Sequence, residues 1–426
     1  MLDINLIRQN PEEVIERLKI KNFDASVLVN EILEIDRRRR EVQKELDLTL
    51  AEANKAAKEI GQLYKTGKRD EAEELKKSTA NLKSRSKELS ANLNELQAQQ
   101  QEKMLLLPNL PHSSVPAGNS EEDNEVVHQE GSLPELGDDA LPHWELIKKY
   151  DIIDFDLGNK VTGAGFPFYK GKGARLQRAL INFFLDRALD KGYLEYQPPL
   201  MVNEASGYGT GQLPDKDGQM YHIPSDQFYM IPTAEVPITN IYRDVILEEK
   251  VLPVKNVAYS ACFRREAGSW GSHVRGLNRL HQFDKVEIVH IAHPDHSYDE
   301  LEKMKEHVAS LLRDLELPFR ILRLCGGDIS FTSALTYDFV VWSAAQKRWL
   351  EVSSVSNFES FQANRMKLRY RDNQGKVQVA HTLNGSALAL PRVVAALLEN
   401  NQTPGGVIIP EKLRPYTGFD MIGDEV

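Results

Sequence analysis

The sequence predicts an α+β protein in which a long N-terminal antiparallel helical hairpin precedes a domain built on a largely antiparallel β-sheet flanked by helices. The first ~105 residues contain a single proline, Pro11, and a heptad-like repeat of apolar side chains. A stretch rich in proline and glycine follows. Beyond it, strand-like runs succeed one another without regular helical crossovers, which favours antiparallel pairing.

The hairpin is predicted from two apolar seams on either side of one short polar turn. The first seam comprises Leu28, Ile32, Ile35, Val42, Leu46, Ala53, Ala56, Ile60 and Leu63, and the second comprises Ala72, Leu75, Leu82, Leu89, Leu93 and Leu96. These residues recur at steps of three and four or their sums, which is typical of a coiled coil. The turn, Tyr64 to Lys68, contains Gly67 and is short enough that the two helices must fold back on each other.

Polar residues interrupt the seam, and cations cluster toward its tip. The interruptions are Arg39, Thr49, Thr79, Ser86 and Gln100, and the cations are Lys55, Lys58, Lys65, Lys68, Arg69, Lys76, Lys77, Lys83, Arg85 and Lys87. A coiled coil selected for stability alone would place leucine at those seam positions. Charge by itself leaves two interpretations open, a solvated helix face and a phosphate-binding surface.

Residues 1–107 are thus interpreted as a helical arm domain, 108–141 as a linker and 142–426 as the domain that carries the chemistry. The linker contains Pro108, Pro111, Pro116 and Pro134 with an acidic run. In the second domain, an apolar stripe predicts a helix from Ala174 to Lys191, and Gly192 ends it before a strand.

Composition excludes several classes of protein. Of 426 residues, 41% are hydrophobic and 27% are charged, which fits neither a disordered nor a fibrous chain. The two cysteines, Cys262 and Cys325, are too few for a disulfide framework or a zinc site of paired thiolates. The net charge of −10 requires any nucleic acid to meet a local basic surface. We expect a soluble cytoplasmic protein, because the sequence contains neither a signal peptide nor ~18 consecutive apolar residues.

Two motifs that suggest ligands do not support an assignment. The glycines at 163, 165, 171 and 173 surround lysines but do not form a phosphate-binding loop of the G-x-x-x-x-G-K-[ST] type. His290, His293 and His296 have no carboxylate or thiolate at a familiar metal-binding spacing, so they are interpreted as surface residues.

The strongest candidate site is a strand, a glycine-rich loop and a second strand. The first strand ends in Phe263-Arg264-Arg265-Glu266, the loop runs through His273 and Arg279, and the second strand contains Phe283, Lys285 and Glu287. Strand alternation gives Arg264 and Glu266 one face and the three residues of the second strand another shared face. The pattern fits a ladder of cross-strand salt bridges. It also fits a nucleotide site, in which Arg264 binds phosphate and Phe283 stacks on a purine.

A second candidate lies near the C-terminus, where His381 to Arg392 passes from a strand into an apolar helix. The small residues at 385, 386, 387 and 389 permit close approach of a ligand. Arg392 adds a cation near the start of the helix. A single arginine there is also common as a surface residue, so the motif is weak alone.

Together these segments resemble the three motifs of class II aminoacyl-tRNA synthetases, in the right order. They are the helix that leads to Pro198 and Pro199, the F-R-x-E strand, and the small-residue strand before Arg392. The helical hairpin, IPTAEVP, FRREAGSWG, RLHQFDKVE, EVSSVSNFESFQANR and HTLNGSALAL extend the resemblance to the seryl-tRNA synthetase family over nearly the whole chain.

The resemblance implies residue roles. ATP binding is implied for Arg264, Arg265, Glu266, Arg279, Phe283, Glu351, Val352, Ser353, Ser354 and Arg392, of which Arg264 and Arg392 are catalytic. Serine binding is implied for Thr233, Ala234, Glu235, Arg264, Glu287, Asn384 and Ser386. Glu351 and Ser354 would hold a magnesium ion with ATP, and no zinc is expected. The segment GAGFPFYKGKGARL departs from the wording common in the family, so no ligand role is assigned there.

The resemblance also implies partners. The hairpin would grip serine tRNA, usually reaching to the tRNA whose acceptor end enters the other subunit of a homodimer, with the helix from Ala174 to Lys191 at or near the interface. No membrane partner is expected. Two alternatives remain, a class II synthetase for another small amino acid and a non-catalytic paralogue that binds tRNA.

Overall fold

The computed structural model describes residues 1–137, 139–215, 218–266 and 275–423. Contacts divide the chain into two compact units, one of Met1–Lys19 with Phe23–Pro108 and one of Ile20–Asn22 with Asn109–Val426. Within the described ranges, no helix is both long and apolar enough to cross a membrane.

The first unit is helical. It comprises α1 (Ile4–Gln9), α2 (Pro11–Lys19), α3 (Ser26–Lys65) and α4 (Arg69–Met104). Arg85 contacts Glu45 at 2.6 Å and Lys103 contacts Glu31 at 2.7 Å, which confirms that α3 and α4 run antiparallel. At 1.5 Å per residue the two helices are roughly 55 to 60 Å long. The turn is shorter than predicted, because α3 continues to Lys65, and Gly67 adopts a φ of +80° that glycine accommodates without strain.

The second unit is organised around one sheet. Its helices are α5 (His143–Lys149), α6 (Phe155–Val161), α7 (Gly171–Leu189), α8 (Glu204–Thr210), α9 (Glu235–Asn240), α10 (Ser297–Asp314), α11 (Phe361–Met366), α12 (Leu390–Asn400) and α13 (Arg414–Thr417). Its strands are β1 (Glu125–Glu130), β2 (Ile153–Asp154), β3 (Phe168–Tyr169), β4 (Leu194–Tyr196), β5 (Met201–Asn203), β6 (His222–Ile223), β7 (Phe228–Met230), β8 (Ile246–Glu248), β9 (Val254–Phe263), β10 (Gln282–Ala292), β11 (Phe319–Arg323), β12 (Leu335–Ser343), β13 (Arg348–Glu359), β14 (Arg369–Arg371), β15 (Val377–Val379), β16 (His381–Ala389), β17 (Gln402–Thr403), β18 (Gly406–Ile408) and β19 (Met421–Ile422).

Among the described residues, the main sheet has the strand order β1-β11-β12-β13-β16-β10-β9-β4. Its neighbouring strands are antiparallel except for β4 and β9, which confirms the α+β prediction. The buried side chains of α7, α10 and α12 join those of the sheet in one apolar core, so these helices cover one of its faces. Smaller helices and loops lie on the other side, where β9, β10, β16 and β13 present polar residues.

The stretch that the sequence predicts as a linker differs from that expectation. Residues 125–130 form β1, which pairs with β11 as an edge strand of the main sheet. Asn109 donates its side-chain amide to the carbonyls of Thr332 and Phe358. Proline and glycine therefore mark irregular backbone here, but that backbone is hydrogen-bonded into the second unit.

Candidate active site

The register of the main sheet brings predicted residues to one face. Glu287 on β10 lies opposite Ser386 on β16, and Ser356 on β13 lies opposite Asn384. Because side chains alternate along a strand, Ser354 shares this face. Residues up to 99 positions apart in the chain thus line one polar surface.

Arg264 and Phe283 meet at one end of this surface. The Arg264 guanidinium lies 5.3 Å from the centre of the Phe283 ring, and its Nε donates to the carbonyl of Pro232 at 3.4 Å. Arg279 forms an ion pair with Glu266. Arg265 has an exposed side chain, and its backbone N–H donates to the carbonyl of Gln219 at 2.9 Å. The structure therefore brings together an arginine, an aromatic face and a carboxylate at the end of β9.

His281 holds this end in place. Its Nδ1 lies 3.1 Å from both the Tyr221 hydroxyl and the Arg264 carbonyl oxygen, and its ring stacks on Phe166 at 5.4 Å between ring centres. The glycine-containing segment near Gly165 thus supports the backbone of Arg264. The loop residues 267–274, which include His273, lie outside the described residues.

A β-bulge explains how Glu351 and Ser354 reach the same face. The pairing of β12 with β13 shifts between Phe339 and Val340, so that Val352 is the extra residue of β13. A bulge re-aims the side chains that flank it. The Ser354 hydroxyl donates to Glu351 Oε1 at 3.3 Å as a result.

The other residues of this predicted motif point away from the polar face. The Val352 side chain is buried in the main core. The Ser353 hydroxyl donates to the Ser386 carbonyl at 2.6 Å. These two residues can therefore meet a ligand on the polar face only through their backbone atoms.

Arg392 closes the second end of the surface. Its Nη1 donates to the Glu351 carbonyl at 2.8 Å and lies 3.6 Å from Glu351 Oε2. Its Nε donates to the carbonyl of Asn278 at 3.0 Å. These contacts fix the guanidinium between β13 and the end of β16.

Asp338 lies beside Ser354 and Glu351, and the sequence analysis did not single it out. It lies directly opposite Ser354 in the β12–β13 ladder, and its carboxyl interacts with Ser354 and Glu351. Its Oδ1 is buried without a hydrogen-bond partner among the described residues. No periodicity separates this aspartate from its strand neighbours, so only the pairing of β12 with β13 reveals it.

Thr233, Glu235 and Glu287 form a buried pocket beside Phe283. The Lys285 ammonium contacts Glu287 Oε2 at 2.6 Å and donates to Thr233 Oγ1 at 3.0 Å. The Ser386 hydroxyl also donates to Glu287 Oε2, at 3.4 Å. Ala234 is fully buried and supports the loop with its methyl group.

Glu235 is held by neutral amides. Gln362 donates to Oε1 at 2.7 Å and Gln212 donates to Oε2 at 3.4 Å, while Asn384 also bonds this carboxyl. Burial, together with the nearby charge of Glu287, raises the pKa of Glu235 to about 7. The two glutamines and Lys285 had no assigned role in the sequence analysis. Lys285 shares the two-residue period of Phe283 and Glu287, so that alternation was the available signal for it.

The interpretation of His290 as a surface residue is wrong. His290 is a buried residue, whose Nε2 lies 2.9 Å from the Tyr193 hydroxyl and whose Nδ1 lies 3.1 Å from Glu300. The spacing of three histidines does not reveal that β10 continues through the centre of the sheet at this point.

Comparison with known proteins identifies the family. A family described as "Seryl-tRNA synthetase N-terminal domain" matches residues 1–111, and one described as "tRNA synthetase class II core domain (G, H, P, S and T)" matches residues 221–401. The chain is 54% identical to a serine–tRNA ligase of Salinibacter ruber, over 100% of both chains. The chain belongs to the seryl-tRNA synthetase family.

Further members agree with this assignment. A serine–tRNA ligase of Clostridium tetani is 44% identical, over 98% of this chain and 99% of the other. A crystal structure of seryl-tRNA synthetase from Pyrococcus horikoshii complexed with ATP matches with a TM-score of 0.92 and 34% identity, over 100% of both chains. Membership in the seryl-tRNA synthetase family confirms the predicted enzyme class, an ATP-dependent ligase of the class II aminoacyl-tRNA synthetases.

Proposed function

We propose that the protein activates L-serine with ATP to seryl adenylate and pyrophosphate, and then transfers serine to the 3′ end of serine tRNA. The observation that carries this proposal is the single polar face that joins Arg264 and Phe283, the serine-pocket residues Thr233, Glu235 and Glu287, and Arg392. Two cations at the ends of one surface suit a triphosphate, and an aromatic face suits a purine.

These contacts support ATP binding at this surface. Arg264 would bind the α-phosphate, Phe283 would stack on adenine, and Glu266 would accept a hydrogen bond from the exocyclic amine once Arg279 turns toward the phosphates. Arg392 would bind the γ-phosphate. Val352 and Ser353 would contribute backbone contacts, because the Val352 side chain lies in the core and the Ser353 hydroxyl donates to the Ser386 carbonyl. Arg265, whose side chain is exposed, would also contact ATP.

The residues around Glu351 fit a magnesium ion. Glu351, Ser354 and Asp338 supply carboxylate and hydroxyl oxygens, and the Asp338 Oδ1 is buried without a partner among the described residues. Magnesium is bound by one or two carboxylates together with phosphate oxygens. Glu351 and Ser354 would hold it, with Asp338 beside them. When bound, the ion would neutralise charge on the phosphates.

Serine would bind in the buried pocket beside the α-phosphate. Thr233 and Glu235 would receive its ammonium group, and Glu287 with Ser386 would receive its hydroxyl, with Asn384 lining the pocket. A site built to bond a hydroxyl rejects an analogue that lacks it by a factor of ~10⁴ to 10⁵. Alanine is excluded in this way, whereas threonine requires steric exclusion.

The chemical step needs no nucleophile from the protein. The carboxylate of serine attacks the α-phosphorus, an oxygen–phosphorus bond forms, and the bond to pyrophosphate breaks. Arg264 and Arg392 are fixed by backbone carbonyls, so they can oppose the charge that develops on the phosphates without reorganising. A hydroxyl of the terminal ribose of the tRNA then attacks the carbonyl carbon of the adenylate. An ester bond forms, the bond from that carbon to the phosphate oxygen breaks to release AMP, and a proton is released.

Amino-acid-dependent pyrophosphate exchange tests the substrate and the site together. We expect exchange with serine among the twenty amino acids, and a loss of roughly 10²- to 10³-fold in kcat for Arg264→Ala, since it removes one charge-stabilising donor. Arg313→Ala is the control, because this arginine pairs with Glu130 and Glu306 away from the polar face. Exchange with a different small amino acid would favour the first alternative. Binding of tRNA without any exchange would favour a non-catalytic paralogue.

The arm is proposed to bind serine tRNA, and selenocysteine tRNA is a second acceptor to assay. Lys55, Lys58, Lys65, Lys77, Lys83 and Lys87 are exposed, and no ion pair involves them within the described part of the arm. These side chains are available to phosphates, which would make affinity fall with added salt. A cytoplasmic location, where tRNA and ATP occur together, is part of this proposal.

A homodimer is proposed through α7 and β4. Strand β4 is an edge of the main sheet, and Leu194 on it is exposed. Beside it, α7 borders a cavity of about 540 Å³ in which Tyr169 Oη and Gln177 Oε1 lack hydrogen-bond partners among the described residues. A second subunit would cover Leu194 and the opening of this cavity.

A further inference from the structure

Lys285 is a buried cation at the centre of the amino-acid pocket. Its side chain is 7% exposed and that of Glu287 is 3% exposed. Its Nζ lies 2.6 Å from Glu287 Oε2 and 3.0 Å from Thr233 Oγ1. The lysine therefore joins the residue proposed to read the substrate hydroxyl to a residue proposed to hold its ammonium group.

The two carboxylate oxygens of Glu287 differ in their hydrogen-bond partners. Oε2 accepts from both Lys285 and Ser386, whereas no hydrogen bond of the described residues ends on Oε1. A buried carboxylate is stable only when a cation and further hydrogen bonds compensate the lost hydration. Lys285 supplies that charge from within the protein, so the substrate need not do so.

Glu235 shows the contrast within the same pocket. It is also buried, but neutral amides of Gln362 and Gln212 hold it. A cationic substrate group is therefore matched by Glu235, which has no cation of its own in direct contact among the described residues. Glu287 is already paired, and it offers an acceptor to an uncharged hydroxyl.

We propose that Lys285 is a specificity-determining residue: by pairing with Oε2 it holds Glu287 as a charged acceptor whose Oε1 is reserved for the hydroxyl of the substrate. The inference rests on the proposed function, because it takes serine as the amino acid. It deepens that function by assigning the rejection of hydroxyl-free amino acids to an ion pair inside the protein.

The physical consequence concerns alanine. With Lys285 present, a bound alanine leaves a charged, buried Oε1 without a partner, and this desolvation is what rejects it. Without the lysine, an unpaired buried carboxylate takes up a proton and becomes neutral. Leaving a neutral carboxyl without a hydrogen-bond partner costs less free energy than leaving a charged one unpaired. Discrimination against alanine, which lacks the hydroxyl, should therefore fall.

Lys285→Met and Lys285→Gln test the proposal by pyrophosphate exchange with serine and with alanine. The measured quantity is the ratio of kcat/KM for serine to kcat/KM for alanine, which does not depend on the fraction of folded enzyme. We expect the ratio to fall at least 100-fold in both variants and to recover partly in Lys285→Arg, which restores the cation. We also expect the rise in KM for serine to exceed any change in KM for ATP.

The double variant Lys285→Met with Glu287→Gln provides the coupling test. If the lysine acts through Glu287, the double variant should lose no more discrimination than Glu287→Gln alone. Lys21→Met is the control, since Lys21 is a half-buried lysine that donates to the carbonyls of Ser330 and Ser333 outside the pocket, and it should keep the wild-type ratio.

Two failures are distinguishable. Absence of serine-dependent exchange in the wild type would overturn the proposed function itself. Exchange in the wild type with an unchanged serine-to-alanine ratio in the Lys285 variants would overturn this inference alone, and would make Lys285 a structural residue.

Discussion

Glu235 is a buried carboxylate whose environment disfavours its charged form. Burial and the charge of Glu287 raise its pKa from 4.5 to about 7. Three amides satisfy its oxygens without neutralising its charge. A buried charge without a counter-ion raises the free energy of the empty pocket, and binding of an ammonium group would remove that cost.

The free energy of unfolding should reflect this cost. The folded protein binds the Glu235 proton more tightly than the unfolded chain does, so this group lowers stability as pH rises from 4.5 to 7, by up to about 3 kcal/mol above pH 7. Glu235→Gln should therefore raise the melting temperature relative to wild type at pH 8, and not at pH 4.5, in thermal unfolding followed by circular dichroism.

Glu300→Gln serves as a control of opposite sign. Despite the effect of burial, hydrogen bonds from His290 and Lys303 lower the pKa of Glu300 to about 2, so this group stabilises the fold above pH 4.5 and loses its effect as pH falls. Its variant should melt lower at pH 8. Equal shifts of Glu235→Gln at pH 8 and pH 4.5 would contradict the assigned ionisation. Serine KM should also rise below pH 7, where Glu235 becomes neutral.

At the scale of elements, the hairpin shows what a heptad pattern determines. The repeat predicts the antiparallel pair, and the structure buries Ile32, Leu46 and Ala56 of the predicted seam. The first turns of α3 differ from the predicted seam. Val29 and Asp36 are buried there, whereas the repeat predicted Leu28 and Ile35. Asp36 is compensated by Arg8 at 2.9 Å, Arg39 at 3.1 Å and Arg40 at 3.0 Å, three partners that no apolar period can indicate.

Removing the arm should separate amino-acid activation from tRNA charging. We expect deletion of residues 41–95, joined by a Gly-Ser-Gly turn, to leave serine-dependent pyrophosphate exchange within about threefold of wild type and to abolish charging of serine tRNA. The deletion retains the contacts of Asp36 with Arg8, Arg39 and Gln100 at the base. Aminoacylation with labelled serine measures the second activity.

The outcome that would contradict a tRNA-binding arm is an equal loss of both activities. In that case the hairpin would be required for folding. For the intact protein, the affinity for tRNA should weaken by roughly one decade or more between 50 and 200 mM salt, because single phosphate contacts each contribute to the salt slope.

At the scale of the whole molecule, an acidic chain is proposed to handle a polyanion. The net charge of −10 is spread over 426 residues, whereas the exposed lysines of the arm form a local basic surface. Local potential, and not net charge, governs such contacts. The chain forms two compact units, which is consistent with a tRNA-binding arm that is separate from the proposed active site.

A mixed dimer tests whether the arm of one subunit serves the site of the other. Subunits lacking residues 41–95 and subunits carrying Arg264→Ala should each fail to charge tRNA as homodimers. When they are co-expressed and purified through two different tags, we expect charging at about half the wild-type activity per dimer, because one intact arm and one intact site remain on different subunits. Inactive mixed dimers would indicate that each arm serves its own site.

Much of the proposed site could be predicted because its motifs are contiguous in the chain. Phe283 and Glu287 alternate along β10 as predicted. Arg264 and Glu266 follow the last residue of β9, where Glu266 has a φ of +49°, so the strand alternation predicted for this pair does not apply and their closeness in the chain was the available signal. Asp338 and Gln362 could not be predicted in this way, since they reach the site only through the pairing of β12 with β13 and the placement of α11.

The sequence by itself determined the helical hairpin, the antiparallel α+β domain and the resemblance of its motifs, because local periodicity and contiguous residues carry that information. Only the tertiary structure decided which oxygen of Glu287 is paired, that Glu235 is held by amides and contacts no cation among the described residues, and how a bulge turns Glu351 toward Ser354. Those features depend on burial and on strand register, which join residues that lie far apart in the chain.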